Sequence, residues 1–454
     1  MQEKTSIKYL PIFTVLAYST FTILLFAISP WEWNINNPGK FYSYLIILNL
    51  ALFFGYFISV RKHKYVNIDY SKYDINIIKI LTIFLYILLA ITLCGFFLDF
   101  DVRIDNLFQT LIEAIKNPAK FYYSYKPKSN IYFKLVIWTN VLLAPAFYCV
   151  IPLCTYYFKH LKYHAKITFI ILVFFELSKW ILKGTNKGIF DLFFIIFIVI
   201  FLKKIKHIRE VNMKKFFKKN KIIISASVLA IIIFLVYFTN NISSRISDNV
   251  GHSLGSIMAG MKVKENSILQ SILPTGIFNM ILIVSTYLCQ GYYALSMALN
   301  LPFTSTYGIG FSNFLMANSK EMLSIDLYSR TYLVKLEEFG WSSTVNWHTM
   351  YLWFANDVSF VGVIGVMFII GYVFANIWLS FIETNNPIAL CILTLFGTMF
   401  LYMSANNQIF NFPTTCVAFF GLVFIWFITK IFERKKLEIP IFKFRGLKNE
   451  KNIK

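Results

Sequence analysis

Charge, and acidic charge above all, is scarce in this chain. Of its 454 residues only 15% are charged, with 22 Asp and Glu set against 44 Lys and Arg. Apolar residues make up 57% and aromatics 19%, more apolar surface than a soluble domain can bury. That excludes an ordinary soluble fold and makes lipid the solvent. Cysteine chemistry is also missing. None of the six cysteines forms a CxxC pair, and Cys94, Cys149, Cys154, Cys289, Cys391 and Cys416 all lie in apolar stretches, where cysteine serves as a small packing residue. The chain has no internal repeat of the kind that marks the paired halves of secondary transporters.

The formal charge of +22 raises the question of nucleic acid, and the placement of the charges answers it. Basic residues come in short runs between apolar stretches, at Arg61–Lys64, Lys159–Lys166, Lys203–Lys221 and Arg434–Lys454. This is the positive-inside pattern of cytoplasmic loops, so no nucleic-acid partner is expected. Lys4 and Lys8 precede the apolar run Leu10–Ile28, which is long enough to span and has no small-residue cleavage site after it. The expectation is an uncleaved first helix.

A spanning helix needs about 20 mostly apolar residues. Candidates are Leu10–Ser29, Phe41–Val60, Ile77–Leu98, Ile131–Phe158, Ile167–Leu182, Ile189–Leu202, Ile222–Phe238, Val358–Phe381, Ile388–Ser404 and Pro413–Ile431. The expected fold is therefore an all-α polytopic membrane protein of about ten transmembrane helices. Alternation from a cytoplasmic N-terminus puts every basic run inside and returns the C-terminus there. The chain divides into helices over 1–239, an external segment over 240–357, helices over 358–432 and a basic cytoplasmic tail over 433–454. The apolar run Ile272–Ala298 could pass as a further span, but crossing would reverse every later helix. It is expected to lie along the surface or dip in and return. An external segment of about 115 residues is far longer than a connector and points to function.

Candidate chemistry concentrates in and beside that segment. Lys183-Gly184-Thr185-Asn186-Lys187-Gly188 forms a turn between two short spans, with hydroxyl, amide and glycine suited to cradling an oxyanion; a plain hairpin with snorkelling lysines is the alternative. Glu176 with Lys179, and Lys187 with Asp191, are spaced to pair on helix faces. Arg103, Arg245 and Arg330 are the arginines assigned outside, and arginine's planar fork suits bidentate phosphate binding. His252 and His348 are the external histidines. His348 lies among Trp341, Trp347, Tyr351 and Trp353, flat faces that suit sugar rings or an interfacial belt. Asp357 is a candidate base or an N-cap for a helix from Val358. Asp99-Phe100-Asp101 has a spacing used to hold divalent ions but no neighbouring histidine, and no metal or other cofactor is expected.

The chain resembles the Wzy-type oligosaccharide repeat-unit polymerases, which build O-antigen or capsular polysaccharide. The resemblance rests on Lys183–Gly188, on Tyr287-Leu288-Cys289-Gln290-Gly291-Tyr292-Tyr293, on Gly308-Ile309-Gly310-Phe311-Ser312, and on Trp347-His348-Thr349-Met350-Tyr351 running into Asn356-Asp357-Val358. Topology extends it over nearly the whole chain. It implies a location in the bacterial inner membrane and a reaction at its outer face. There the growing glycan on undecaprenyl diphosphate is transferred to a fresh lipid-linked unit and lipid diphosphate leaves. It also implies a flippase and a chain-length regulator as partners, beside membrane lipid. For that chemistry Arg245, Arg330, Lys183 and Lys187 are expected to bind diphosphate without metal. His348, then Glu338 or Asp357, would serve as base. Gln290, Tyr292, Trp347 and Tyr351 would contact glycan or lipid. The alternatives are an O-antigen ligase, a polyprenyl-phosphate-sugar glycosyltransferase using Asp99 and Asp101, and a polysaccharide flippase.

Overall fold

In a computed structural model the described residues are 2–64, 68–128, 130–207, 221–246, 249–265 and 267–435. Among them the chain is helical, with one isolated bridge, Trp31 to Val263. In chain order the helices are α1 Gln2–Ile28, α2 Pro38–Lys62, α3 Asp74–Asp99, α4 Leu107–Lys116, α5 Pro118–Ser124, α6 Ile131–Leu142, α7 Ala144–Tyr156, α8 Tyr163–Leu182 and α9 Lys187–His207. There follow α10 Lys221–Ser243, α11 Val250–Ile257, α12 Ile268–Ile272, α13 Thr275–Ala298, α14 Asn313–Leu323, α15 Tyr332–Lys335, α16 Met350–Thr384, α17 Pro387–Tyr402 and α18 Pro413–Arg434. The basic tail over 436–454 and most of the basic run Lys203–Lys221 lie outside the described residues.

Local chemistry sets the helix ends. Asn37 caps α2 through a 3.0 Å bond from Lys40 N to its Oδ1, with Pro38 next in the first turn, where a missing N–H costs nothing. Asn386 and Pro387 do the same for α17. Pro145 opens α7, and α6 and α7 meet at a 72° bend, as a proline without its N–H favours. The expected span Ile131–Phe158 is therefore a broken one. Among the described residues six helices are long and apolar enough to cross a membrane, or seven if the bent pair counts as one.

The helices alternate in direction. At one end Glu383, from the end of α16, binds Lys8 Nζ at 2.9 Å and His63 Nε2 at 2.7 Å. There too Tyr70 donates to Glu433 at 2.7 Å, and Lys206 Nζ to Tyr156 OH at 3.0 Å. This end holds Arg61–Lys64 and the start of the Lys203 run, as the charge pattern requires. Along the bundle α2 and α16 meet backbone to backbone. A Cβ on Gly55 would stand 1.9 Å from Phe368 O, and one on Gly371 2.1 Å from Leu52 O, so only glycine permits this approach.

The opposite end is closed by α13. Its 24 residues qualify by length and composition as a span, but its contacts show a different course. Ser285 accepts from Trp31 Nε1 at 3.2 Å, and Tyr292 OH meets Thr22 Oγ1 at 3.0 Å, both near the end of α1. Tyr287 packs edge-on against Phe238 near the end of α10, and Leu299 O accepts from Lys40 Nζ at the start of α2. Gly291 abuts Thr349 and Ser404, where α16 starts and α17 has ended. These contacts, among the described residues, gather at one end of α13's neighbours, the end away from Glu383. The helix is not a bare surface element, however: Cys289–Leu295 is buried, with Trp341 against Tyr293 from the segment above.

The stretch before the eighth expected span also differs from the expectation. Helix α16 begins at Met350, capped by Thr349, whose Oγ1 accepts from Leu352 N at 3.2 Å, and breaks at Ser359, where φ is +60°. Asp357 is thus inside a helix and is not an N-cap.

Candidate functional site

The turn between α8 and α9 gathers three of the four cations expected to hold diphosphate. Gly184 has φ +60°, and a Cβ there would stand 2.4 Å from Pro118 O, so the turn is tucked under α5 in a conformation only glycine takes easily. Arg245 reaches it from the end of α10. Its Nε donates to Asn241 Oδ1 at 3.0 Å, its Nη2 donates to Gly184 O, and its guanidinium lies 4.2 Å from the centre of the Tyr122 ring. Asn241 Nδ2 donates in turn to Asn186 Oδ1 at 2.6 Å.

These cations are not equivalent. Lys183 Nζ stands 3.2 Å from Asp99 Oδ2, with Tyr125 OH also on Asp99, and Lys187 binds Asp191 at 2.7 Å. Arg245, half-buried, is held only by neutral acceptors and rings among the described residues. Burial lowers its pKa from the usual arginine value, yet arginine stays charged. Beside it, Thr185 Oγ1 and Asn186 Nδ2 are buried without a hydrogen-bond partner. A cation with no carboxylate among the described residues, beside two unused donors, is an arrangement that accepts an anion.

Arg330 stands in a second group. Its Nη1 donates to Tyr307 OH at 3.2 Å, its guanidinium lies 4.9 Å from that ring's centre, and its Nε is buried without a partner. Tyr287 packs edge-on with Trp347, ring centres 5.1 Å apart, and with Phe238 of α10.

His348 is 2% exposed, and burial pushes its pKa down to about 3. A hydrogen bond to the backbone of Asn346 works weakly the other way. Since that bond favours the protonated ring, the ring donates to a carbonyl; Nε2, which has no partner, is left as an acceptor. A neutral imidazole this hard to protonate is a weak base, which counts against the expected role. Asp357 is no better placed as a base. Its Oδ1 accepts from Thr306 Oγ1 at 2.5 Å and from Gly308 N and Gly310 N at 2.9 Å each, and its Oδ2 from Phe311 N at 2.8 Å. The carboxylate is occupied in holding the Gly308–Phe311 loop. Glu338 is exposed on a single 3-10 turn, Leu336–Phe339.

The expected glycan or lipid contacts divide. Tyr292 and Tyr351 are core residues, 0% and 1% exposed, and Tyr292 packs against Phe26 and Phe41. They are corrected from ligand contacts to packing. Gln290 is buried and its Oε1 accepts from Trp347 N at 3.2 Å, so it positions Trp347. Trp347 itself remains partly exposed. The pairs Glu176–Lys179 and Lys187–Asp191 form as their spacing requires, each at 2.7 Å. Asp99 and Asp101 do not act together: Asp99 holds Lys183, and Asp101 holds Lys128 at 2.6 Å.

Sequence reasoning missed the partners that come from other helices, Tyr122 for Arg245, Asp99 for Lys183, and Tyr402, which donates to Asp191 at 2.7 Å, and also Asn241, four residues before Arg245. It also passed over Asn406-Asn407-Gln408, a polar triplet between two apolar helices, whose composition alone was a usable signal. Compared with protein families, curated proteins and solved structures, the chain matches none.

Proposed function

We propose that this protein is a multi-pass enzyme of the bacterial inner membrane that polymerises oligosaccharide repeat units carried on undecaprenyl diphosphate, transferring the growing glycan to a new lipid-linked unit. In this reading about ten helices cross the membrane, both termini are cytoplasmic, and the segment over 240–357 works at the outer face. The observation that carries it is the α8–α9 turn, where Arg245 has no carboxylate partner among the described residues and Thr185 and Asn186 have unused donors. A lipid diphosphate leaving group gains charge as the glycosidic bond to it breaks, and fixed donors aimed at that charge lower the barrier. Lys183 and Lys187, each balanced by a carboxylate, Asp99 and Asp191, are held at the turn as further hydrogen-bond donors. Arg330, with Tyr307, is assigned to the second lipid-linked substrate, which also carries a diphosphate.

The acceptor hydroxyl must lose its proton. The burial of His348 and the four bonds to Asp357 leave Glu338 as the exposed carboxylate of the expected set. An O-antigen ligase uses the same donor, so the test must separate the two. A strain lacking this gene should carry surface glycan capped with a single repeat unit. Free lipid-linked polymer would indicate a ligase, and glycan missing altogether an assembly transferase or flippase.

A further inference from the structure

A second group of buried polar atoms lies apart from the cationic turn and has the opposite hydrogen-bonding character. Asn407 Oδ1, Gln408 Oε1 and His348 Nε2 are acceptors without partners, and Ser404 Oγ is unpartnered beside them in sequence. Their residues are 1%, 5%, 2% and 0% exposed. The chain segments that carry them are in contact. Met350 N donates to Met403 O at 3.0 Å, Gly291 fits only because Ser404 O and Thr349 N press on it, and Asn407 Nδ2 donates to Phe311 O at 2.7 Å. A buried acceptor left without a donor is costly, and a chain does not ordinarily collect several in one place. Unused donors at the α8–α9 turn suit an anion; unused acceptors here suit neutral hydroxyl groups.

We propose that the connection between α17 and α18, from Ser404 to Gln408, forms with His348 a subsite that binds the hydroxyls of an uncharged sugar residue. His348 serves there as a hydrogen-bond acceptor that positions the sugar, not as the base. The subsite lies at the bundle end covered by α13, the same end as the cationic turn, so glycan and diphosphate of one substrate can be held together. The assignment of the sugar as part of a lipid-linked unit rests on the polymerase reading; the binding of a saccharide does not.

The test uses the full-length protein in detergent and, as probe, the oligosaccharide repeat unit released from the producing cell's own surface glycan, with no lipid or diphosphate attached. Tryptophan fluorescence should report saturable binding. Gln408→Leu and Asn407→Leu should each weaken it about tenfold or more. The melting temperature should hold or rise for Gln408→Leu, which removes an unsatisfied acceptor, and fall for Asn407→Leu, which also removes the bond to Phe311 O. Ser71→Ala, at the opposite end of the bundle, should leave binding unchanged. Absence of saturable binding to the unaltered protein would overturn the proposal, and so would unchanged affinity in both variants, the result expected if only water occupies the site. A gene-deletion strain that still makes a full glycan ladder would end the polymerase reading without touching this titration.

Discussion

Replacing Asp357 separates a structural pin from a catalytic base. Its carboxylate receives four hydrogen bonds, at 2.5, 2.9, 2.9 and 2.8 Å, from Thr306, Gly308, Gly310 and Phe311. Bonds to a charged acceptor contribute about 1.5–3 kcal/mol each when measured singly. Four that hold one loop are not additive, so we predict a loss of about 3–5 kcal/mol for Asp357→Ala. Asp357→Asn keeps one oxygen for three of the donors but turns an NH₂ toward Phe311 N, and should lose about 1–2 kcal/mol. The assay is thermal unfolding in detergent combined with hydrogen exchange of peptides covering 304–312. Both variants should melt earlier, and the amides of Gly308, Gly310 and Phe311 should exchange faster, in the order Ala above Asn. Loss of polymerisation by Asp357→Asn with unchanged melting and exchange would refute the pin and restore Asp357 as a base.

Arg245→Ala should lower polymerisation by about 100-fold or more at normal expression, and Arg245→Lys should recover only part, because a point charge cannot replace the fork; a normal ladder on a gel would remove Arg245 from the diphosphate site. His348 has a folded pKa near 3 against about 6.5 when unfolded, so below about pH 6.5 the unfolded state binds the extra proton. The stability this residue supplies is complete above pH 6.5 and falls, by at most about 1.4 kcal/mol per pH unit, as pH drops toward 3. His348→Gln should flatten that part of the melting profile, and an unaltered profile would contradict its burial as a neutral ring. Lys187→Met leaves Asp191 with Tyr402 alone and should cost about 1–3 kcal/mol, while Lys187→Met with Asp191→Asn should cost less; equal or greater loss in the double variant would show that the pair is not coupled.

The parts of this fold that were legible in the sequence are those governed by composition along the chain. Apolar length marked the helices, and the basic run Arg61–Lys64 and the start of the Lys203 run share one end of the bundle; α13, which charge alternation sets apart from the crossing helices, still has the length and composition of a span. Pairs three or four residues apart, such as Glu176 with Lys179, followed from helix geometry. What could not be read depends on contacts between distant segments. Nothing near Lys183 in sequence reveals that Asp99 takes its charge, and nothing near Arg245 reveals that its partners among the described residues are neutral. His348 and Tyr292 looked like ligand residues because their types suit that role, and only burial shows that one is neutral and the other is core. Asp357 misled for a related reason: the glycines that satisfy it lie about 50 residues earlier, a distance at which periodicity carries no information.

Reconstitution tests the central claim most directly. The purified protein is placed in liposomes with lipid-diphosphate-linked repeat units and no other protein. Lipid-linked products should lengthen in whole repeat units, with one polyprenyl diphosphate released per bond formed, and both should be lost with Arg245→Ala. Product that never exceeds one unit, or lengthening that is insensitive to Arg245→Ala, would contradict that claim.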